Sequence, residues 1–262
     1  MKQLVKDALF SAGFHAGRHT RLEDLCGLMR DLRPVDCGRE LIRIGGDADG
    51  GYLVPNDLDG IEYCFSPGVS TIADFENQLA DRGIHCFMAD YSVEAPPLMR
   101  PEFTFDRKFL GIAEDEKFLT LEGWKQHYLP GYTGEMILQM DIEGCEYEVL
   151  LGLPDSLLDQ FRTVIIEFHK LELLFEPYAF RMYRMCFDKL LRHFHVAHIH
   201  PNNWDKVTRY GSIEIPHMME FTFHHRRRAQ PLGPAINFPH SLDRDNVPDK
   251  PHVTLPRCWY MS

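Results

Sequence analysis

The sequence predicts an α/β fold built on a mostly parallel sheet. From residue 61 onward, short apolar segments rich in β-branched residues alternate with segments whose apolar positions recur at helical spacing. Strands that are separated by helices pair in parallel through right-handed crossovers. The segment 136–150 shows the pattern most clearly, since an apolar strand ends at Asp141 and Glu143, and Gly144 then opens a helix.

Composition limits the classes of function. The 262 residues are 44% hydrophobic and 26% charged, which allows a substantial core. The formal net charge of −11 argues against nucleic acid or an anionic membrane as the main partner. Seven cysteines without a CxxC pair argue against a disulfide framework, and neither an apolar leader nor a membrane-spanning segment is apparent. We therefore expect a cytoplasmic protein without a membrane span.

Seven segments are predicted as strands of the sheet, in chain order. They span residues 61–65, 85–89, 109–113, 136–140, 163–168, 195–200 and 218–224. The first strand is followed by a helix at whose start Thr71 and Asp74 resemble a capping box. Tyr183, Phe187 and Leu190 mark the helix before the sixth strand.

The chain is predicted to fall into three parts. These are a helical segment over 1–40, a central domain over 41–230 and a proline-rich wrap over 231–262. Early in the central domain, two short β runs flank a glycine-rich turn, which predicts a hairpin. The alternative is a calcium loop that uses Asp47 and Asp49, but no glutamate follows at the position that such a loop requires.

The turn after the first strand of the sheet has features of a cofactor site. Gly68 lets a ligand approach the backbone, and Asp90 ends the next strand, where a carboxylate can accept hydrogen bonds from both hydroxyls of a ribose. The full dinucleotide pattern GxGxxG is missing, which counts against NAD because a pyrophosphate must sit on the loop itself. S-adenosylmethionine carries no phosphate, so it is favoured over NAD and over a purely structural turn.

Polar residues follow three strands at the same predicted edge of the sheet. They are Asp141 and Glu143 after the fourth strand, Glu167 and His169 at the end of the fifth, and His198, His200, Asn202 and Asn203 at and beyond the sixth. Asn202 and Asn203 offer paired donors and acceptors suited to sugar hydroxyls, with a simple turn as the alternative, and His200 joins them as a candidate substrate-binding residue. On its own segment, Asp141 fits a helix cap and a functional group equally well. Three pairs in register predict a functional cluster.

The sequence leaves open what this cluster does. Asp141, Glu167 and His198 could hold a divalent cation such as Mg²⁺ or Mn²⁺, which would lower the pKa of a hydroxyl. His169, Glu143 or Asp141 could instead serve as catalytic groups without a metal, one of them as general base. Histidines at i and i+2 near a glutamate are also typical of non-haem iron sites, but the parallel pattern disfavours that fold.

With these motifs in view, the chain resembles the FkbM-type family of S-adenosylmethionine-dependent methyltransferases. The resemblance rests on Arg43-Ile-Gly-Gly-Asp-Ala-Asp-Gly-Gly-Tyr52, Met140-Asp-Ile-Glu-Gly-Cys-Glu-Tyr147, Ile166-Glu-Phe-His169 and His198-Ile-His-Pro-Asn-Asn203. It implies a class I, Rossmann-like methyltransferase fold, with a seven-stranded, mostly parallel sheet, an antiparallel last strand and helices on both faces. It also implies O-methylation, often of sugars in glycans or natural products.

The resemblance extends to the cofactor site. The candidate cofactor-binding residues are Tyr52, Ser66, Gly68, Asp90, Tyr91 and Asp141. The first loop departs from the usual glycine-rich form, since it has Ser66, Pro67 and a single glycine. Related sugar O-methyltransferases of the macrocin type use a divalent metal, but their ligand spacing is not reproduced here.

We therefore expect transfer of a methyl group from S-adenosylmethionine to a hydroxyl of a saccharide. The alternatives are a nucleotide-dependent oxidoreductase and a non-catalytic cofactor-binding module of the same fold. The expected partner is a small-molecule or glycan acceptor and not a nucleic acid. Assembly into a homo-oligomer is left open.

Overall fold

A computed structural model describes Ser11 and residues 17–261. The helical prediction for the other residues before residue 17 lies outside the described residues. Within them, the first helix begins at Leu22 and buries Leu25 and Leu28, two of the apolar positions of the predicted N-terminal segment.

The described chain alternates strands and helices. The strands are β1 (Val35–Asp36), β2 (Leu41–Ile44), β3 (Tyr52–Pro55), β4 (Tyr63–Pro67), β5 (His85–Ala89), β6 (Phe103–Asp106), β7 (Phe109–Leu110), β8 (Phe118–Leu119), β9 (Met136–Met140), β10 (Phe161–Phe168), β11 (Phe194–Pro201), β12 (Val207–Tyr210), β13 (Ile213–Pro216), β14 (Met219–His225) and β15 (Gly233–Pro234). The helices are α1 (Leu22–Asp31), α2 (Asp74–Ala80), α3 (Leu121–Tyr128), α4 (Glu146–Gly152), α5 (Asp155–Leu158) and α6 (Pro177–His193), with short 3₁₀ helices at Leu171–Phe175 and Arg257–Trp259. None of the helices in the described part of the chain is both long and apolar enough to cross a membrane.

Seven strands form one sheet in the order β11-β14-β10-β9-β4-β5-β6. β14 runs antiparallel to both of its neighbours, and the remaining pairs are parallel. The predicted seven-stranded, mostly parallel sheet with an antiparallel last strand is therefore confirmed. The carboxyl ends of β4, β5, β9 and β10 meet at one edge, which we call the rim. In open α/β sheets, ligands bind beyond this edge.

Alternate residues of the central strands face two core layers. Leu138 of β9 faces a layer to which α3, α4 and α6 contribute. Its neighbour Ile137 faces a smaller layer, which is covered by α2 and by the hairpin of β2 and β3. Each central strand is apolar on both sides. Both faces of the sheet must therefore be covered, and helices cover them.

One predicted strand of the sheet is wrong. The sequence places the third strand at residues 109–113, but β6 takes that position beside β5. Residues Phe109–Leu110 pair instead with Phe118–Leu119 in a separate two-stranded sheet. β6 is an edge strand whose residues are only half-buried, so it lacks the apolar run on which the prediction depends.

The predicted capping box of α2 is also absent. The helix begins at Asp74 with Ala73 as its N-cap residue, and no side chain caps it. Thr71 lies two residues before that N-cap, in the loop that lines a cavity described below.

The hairpin of β2 and β3 is confirmed, with Ile44 opposite Tyr52. Arg43 closes its turn by donating to the carbonyl oxygens of Gly46 at 2.7 Å and Ala48 at 2.9 Å. The turn leads from the end of β2 to the start of β3 and contributes Asp49 to the cavities at the rim.

The segment after β14 packs back onto the sheet. Its Leu255 and Trp259 are buried in the larger core layer. Asp243 Oδ1 lies 2.8 Å from His198 Nε2 in β11. The predicted division into three parts, with boundaries at residues 40 and 230, stays a prediction.

Candidate active site

Four predicted site residues meet at the rim. Two follow β9 and two lie at the end of β10, and these strands are parallel neighbours. The Nε2 atom of His169 lies 3.8 Å from Asp141 Oδ1, 3.5 Å from Glu143 Oε2 and 3.6 Å from Glu167 Oε1. Three carboxylates from two strand ends therefore surround one imidazole nitrogen.

The turn after β9 determines where these groups point. Glu143 and Gly144 have φ values of +59° and +105°, so the chain turns in the left-handed region before α4. α4 begins at Glu146 with Cys145 as its N-cap residue, so Gly144 does not open the helix and Asp141 does not cap it. The Glu146 carboxylate accepts two backbone N–H groups of the turn, at 3.0 and 3.3 Å. Asp141 is left to face the rim.

The side chain of Glu146 also fixes His169. Glu146 is fully buried, and its Oε1 lies 3.0 Å from Nδ1 of His169. The hydroxyl of Tyr147 donates to the carbonyl oxygen of His169 at 2.8 Å, which holds the backbone as well. A carboxylate at Nδ1 orients the ring and sets its tautomer, so that Nε2 can exchange a proton with a ligand. Among the described residues, Nε2 has no hydrogen-bond partner.

The titration of the cluster is shifted by its surroundings. Burial alone would lower the pKa of His169, but Glu146, Asp141 and Glu143 outweigh it, and the pKa is raised. Burial raises the pKa of Asp141 well above its ordinary value, and the charge of Glu167 raises it further. Oδ1 of Asp141 has no hydrogen-bond partner within the described part of the chain. Shifted groups side by side in an open rim are typical of functional sites.

Two adjoining cavities open beside this cluster. The larger, of about 610 Å³, is lined by Asp90 and Ser92 and by the apolar side chains of Phe109, Leu110, Phe118 and Ile142, among others. The smaller, of about 110 Å³, is lined by residues that include Tyr52, Thr71, Glu76 and Gln139. Both are lined by Asp49, Gly68, Ser70 and Asp141, so the cavities meet at the rim. No lysine or arginine of the described residues lines either one.

Gly68 brings the loops after β4 and β9 into contact. Its φ is +91°, and a Cβ atom at this position would lie 1.6 Å from the carbonyl oxygen of Asp141. Only glycine allows this approach. The N–H of Asp141 donates to the carbonyl oxygen of Pro67 at 3.3 Å, and the N–H of Gly68 donates to Ala89 at 2.8 Å. The position of Asp141 is therefore coupled to the loop that lines both cavities.

Four of the six predicted cofactor-binding residues line the cavities. They are Tyr52, Gly68, Asp90 and Asp141. Ser66 is buried and lines neither; its hydroxyl bonds to Glu76 and, at 2.6 Å, to Oε1 of Gln139. Tyr91 also lines neither, and its ring packs against Phe109 with centroids 5.3 Å apart.

The carboxylate of Asp90 retains capacity for a ligand. Oδ2 accepts from the backbone N–H of Ser70 at 2.8 Å, and Oδ1 accepts from the N–H and the hydroxyl of Ser92 at 2.7 and 2.6 Å. A carboxylate has about four acceptor positions. These contacts orient Asp90 toward the larger cavity and leave room for one further hydrogen bond.

The predicted metal ligands are not gathered in one place. His198 lies within β11, opposite Thr222 and not at the strand end, and its Nε2 pairs with Asp243 in place of Asp141 and Glu167. The described donors that come within 4.8 Å of one another at the rim form two other groups. These are Asp141, Glu143 and His169, and separately Asp49, Glu167 and Glu220.

The three predicted substrate-binding residues are buried and line neither cavity. Asn202 donates to both carboxylate oxygens of Glu167, at 3.1 and 3.2 Å. Asn203 exchanges two hydrogen bonds of 2.8 Å with the backbone of Val247. Both ring nitrogens of His200 lack a hydrogen-bond partner among the described residues. The two asparagines hold Glu167 and the C-terminal wrap in place, and a role in acceptor binding stays a prediction.

Three buried carboxylates near the rim are missing from the sequence-based set. They are Glu76, Glu146 and Glu220. Each interrupts an apolar pattern: Glu220 is the only charged residue of the segment 218–223, and Glu76 follows buried Phe75 in α2. Burying a carboxylate costs free energy unless it is hydrogen-bonded or paired. A charged residue at a position where the pattern expects an apolar one was therefore the sequence signal that could have identified these carboxylates.

The part of the chain that carries the rim is similar to a family of methyltransferases. Residues 135–195, which include β9, the rim residues from Asp141 to His169, and α6, match the family model described as Methyltransferase FkbM domain. The match confirms the resemblance to the FkbM-type family over this part of the chain, and it supports methyl transfer as the activity. No curated protein matches the chain.

A solved structure is also similar to the chain. It is the crystal structure of a mutant 16S rRNA (adenine(1408)-N(1))-methyltransferase from Catenulisporales acidiphilia, with 12% identity and a TM-score of 0.30. The alignment covers 73% of this chain and 98% of that chain.

Proposed function

We propose that the protein is an S-adenosylmethionine-dependent O-methyltransferase of the class I, Rossmann-like fold. Its acceptor is a hydroxyl of a saccharide, in a glycan or in a glycosylated natural product. The observation that carries the proposal is a pair of joined, acidic cavities that meet at Asp141, beside the unpartnered Nε2 of His169. The antiparallel last strand of the sheet and the family match support the same proposal.

The charge of the cavities favours S-adenosylmethionine over NAD. Asp49, Glu76, Asp90 and Asp141 line them, and no lysine or arginine of the described chain does. A ligand with a sulfonium and an ammonium group is attracted by such walls, whereas the pyrophosphate of NAD is repelled. This weighs against the alternative of a nucleotide-dependent oxidoreductase.

The cavity linings suit the parts of the cofactor. Asp90 can accept hydrogen bonds from ribose hydroxyls, and the apolar side chains of the larger cavity suit an adenine ring. The smaller, more polar cavity would take the amino-acid end. S-adenosylmethionine would supply an electrophilic methyl group near Gly68 and Asp141, where the two cavities meet.

His169 is placed to take the proton of the acceptor hydroxyl. Its buried Nε2 lies 3.8 Å from Asp141 and 3.5 Å from Glu143, which line the larger cavity, while Glu146 holds Nδ1 and would stabilise the imidazolium that forms. The side chain of Glu143 is 88% exposed at the open side of the rim, where an acceptor would arrive. Alignment of the acceptor is expected to supply most of the rate, since positioning alone can lower a barrier by about 7–11 kcal/mol.

A divalent cation such as Mg²⁺ or Mn²⁺ is the second way to activate the hydroxyl. Asp141, Glu143 and His169 each offer a ligand atom within 4.8 Å of the others. A cation there would lower the pKa of the hydroxyl, and it would use His169 as a ligand in place of a base.

Calorimetry with S-adenosylhomocysteine and with NAD tests the choice of cofactor. We expect S-adenosylhomocysteine to bind the wild-type protein, and NAD to bind at least about tenfold more weakly because of its pyrophosphate. Tight binding of NAD alone would show that the protein is not a methyltransferase.

Methyl transfer is then measured with isotopically labelled S-adenosylmethionine and a panel of saccharides, with Mg²⁺ and with EDTA. Label in a saccharide hydroxyl supports the proposal, and loss of transfer in EDTA supports the cation. Cofactor binding without transfer to any acceptor supports a non-catalytic module.

A further inference from the structure

Glu76 is a buried carboxylate for which the proposed chemistry has no use. It lies in α2 and is 3% exposed, and it lines the smaller cavity only. Asp141, in contrast, lines both cavities and faces His169. Glu76 therefore belongs to the part of the lining that the two cavities do not share, whereas Asp141 lies where they meet.

A chain of hydrogen bonds fixes the Glu76 carboxylate. Its Oε1 lies within hydrogen-bond distance of the Ser66 hydroxyl in β4, and the oxygen of that hydroxyl also lies 2.6 Å from Oε1 of Gln139 in β9. The single hydroxyl hydrogen donates to one of these two acceptors at a time. Nε2 of Gln139 donates to the hydroxyl of Tyr52 in β3 at 3.1 Å. The chain thus links four elements, and Ser66 is the member that contacts the carboxylate.

Glu76 has no cationic partner in the described protein. No lysine, arginine or histidine of the described residues lies within the ion-pair distance of 4.0 Å from it. Burying a carboxylate without a counter-ion costs several kcal/mol in free energy. Because this one lines a ligand cavity, a bound ligand can provide the missing positive charge.

We propose that Glu76 binds the α-ammonium group of the cofactor and thereby selects ligands that carry a complete amino-acid end. The inference rests on the proposed function. It goes further in assigning recognition of this ammonium to Glu76, with Ser66, Gln139 and Tyr52 as its positioning residues.

The titration of Glu76 agrees with this role. Burial, helped by the charge of Asp74 and opposed by the hydrogen bond to Ser66, raises the pKa of Glu76 to about 7. An ammonium group beside it would favour the ionised form. Binding of the cofactor would therefore complete the charge balance of the smaller cavity.

The test compares two ligands that differ only at the amino-acid end. S-adenosylhomocysteine carries the ammonium group, and 5′-methylthioadenosine lacks it. In calorimetry, we expect Glu76→Gln to weaken S-adenosylhomocysteine binding by about 10- to 100-fold, as for loss of a charged hydrogen bond, and to change 5′-methylthioadenosine binding by less than about threefold. Glu176→Gln, at an exposed acidic position before α6, is the matched control and should change neither affinity.

Three outcomes overturn the inference. Equal losses for both ligands would show that Glu76 only supports the shape of the cavity. Unchanged affinity for S-adenosylhomocysteine would show that another group binds the ammonium. If the wild-type protein binds neither ligand, the proposed function fails as well, which distinguishes that result from the first two.

The pH dependence of wild-type binding gives a second measurement, which does not require the variant to fold. Asp49 and Asp141 line the same cavity as Glu76, and Asp74 lies on the same helix. The Cys86 thiol on β5 donates to the Glu76 backbone, and the Tyr52 phenol lies on the hairpin; both have raised pKa values and stay neutral between pH 6 and 8.

With a pKa of about 7, ionisation of Glu76 should strengthen S-adenosylhomocysteine binding by about tenfold from pH 6 to pH 8, and leave 5′-methylthioadenosine binding flat. The rise should persist in Asp141→Asn. A flat profile for both ligands, or a rise that disappears in Asp141→Asn, would contradict the role of Glu76.

Discussion

Clusters of histidine and carboxylate lie at both ends of the central sheet, and they differ in whether an arginine pairs with the carboxylate. At the rim, Nε2 of His169 and Oδ1 of Asp141 have no partner among the described residues. At the opposite end, Asp159 accepts from Arg227 at 2.6 Å and lies 3.1 Å from His193 and 3.0 Å from His225.

The pKa values of the two carboxylates, Asp159 and Asp141, are shifted in opposite directions. Burial would raise the pKa of Asp159, but hydrogen bonds from His225, Arg227 and His193 outweigh it and lower the pKa to about 2. The pKa of Asp141 is raised, because burial and the charge of Glu167 act together. Arg227 therefore balances the charge of Asp159, whereas among the described residues only His169 lies within ion-pair distance of Asp141.

The largest expected effect is on kcat, and it distinguishes His169 at the rim from His193 at the opposite end of the sheet. His169→Gln should lower kcat by about 100-fold or more, since general-base catalysis contributes about 10²- to 10⁴-fold. His193→Gln, the matched change at the other end, should leave kcat within about threefold. Initial rates of methyl transfer and thermal melts of both variants provide the measurement, and equal rate losses would remove the functional distinction between the clusters.

The second effect has opposite signs for activity and stability. Asp141→Asn should lower kcat by at least about tenfold. It should also raise the Tm by about 2–4 °C at pH 7, because the amide removes a repelled carboxylate. A raised pKa means that the carboxyl of Asp141 stabilises the fold below its unfolded pKa, and that this contribution is lost as pH rises through the folded pKa. The advantage of the variant should therefore disappear in acid, and a lower Tm at pH 7 would contradict this account.

The smallest effect concerns stability alone. Asp159→Asn should lower the free energy of unfolding by about 1 kcal/mol, a value discounted for solvent screening because the side chain is 45% exposed. With a pKa lowered to about 2, Asp159 stabilises the fold above its unfolded pKa, and this contribution is lost as pH falls toward 2. Urea unfolding at pH 7 and pH 3 measures the difference, while methyl transfer at pH 7 should be unchanged. Loss of activity without loss of stability would place Asp159 in the functional machinery.

The sequence predicts the rim because its residues are local to strand ends. β5 and β9 have their predicted bounds, since both are short apolar runs closed by an aspartate. Asp141 and His169 then meet because parallel neighbours end at the same edge. β6 is missed because an edge strand that is half-buried lacks such a run.

Contacts between distant parts of the chain could not be predicted in this way. His198 pairs with Asp243, 45 residues further on, and no spacing in the sequence indicates that pairing. Glu146 lies inside the Asp-Ile-Glu-Gly-Cys-Glu motif, but its bond to the His169 ring depends on how α4 leaves the turn. Strand ends can thus be derived from local pattern, whereas the partners that set each group's charge depend on the folded chain.

The C-terminal wrap is synthesised last, and it supplies hydrogen bonds that complete one side of the rim. Glu220 in β14 accepts a hydrogen bond of 2.6 Å from Asn246, which also donates to Asp49 at 3.2 Å. Every strand of the central sheet precedes Asn246 in the chain. The acidic groups on this side of the rim therefore reach their final arrangement only when translation has passed residue 246.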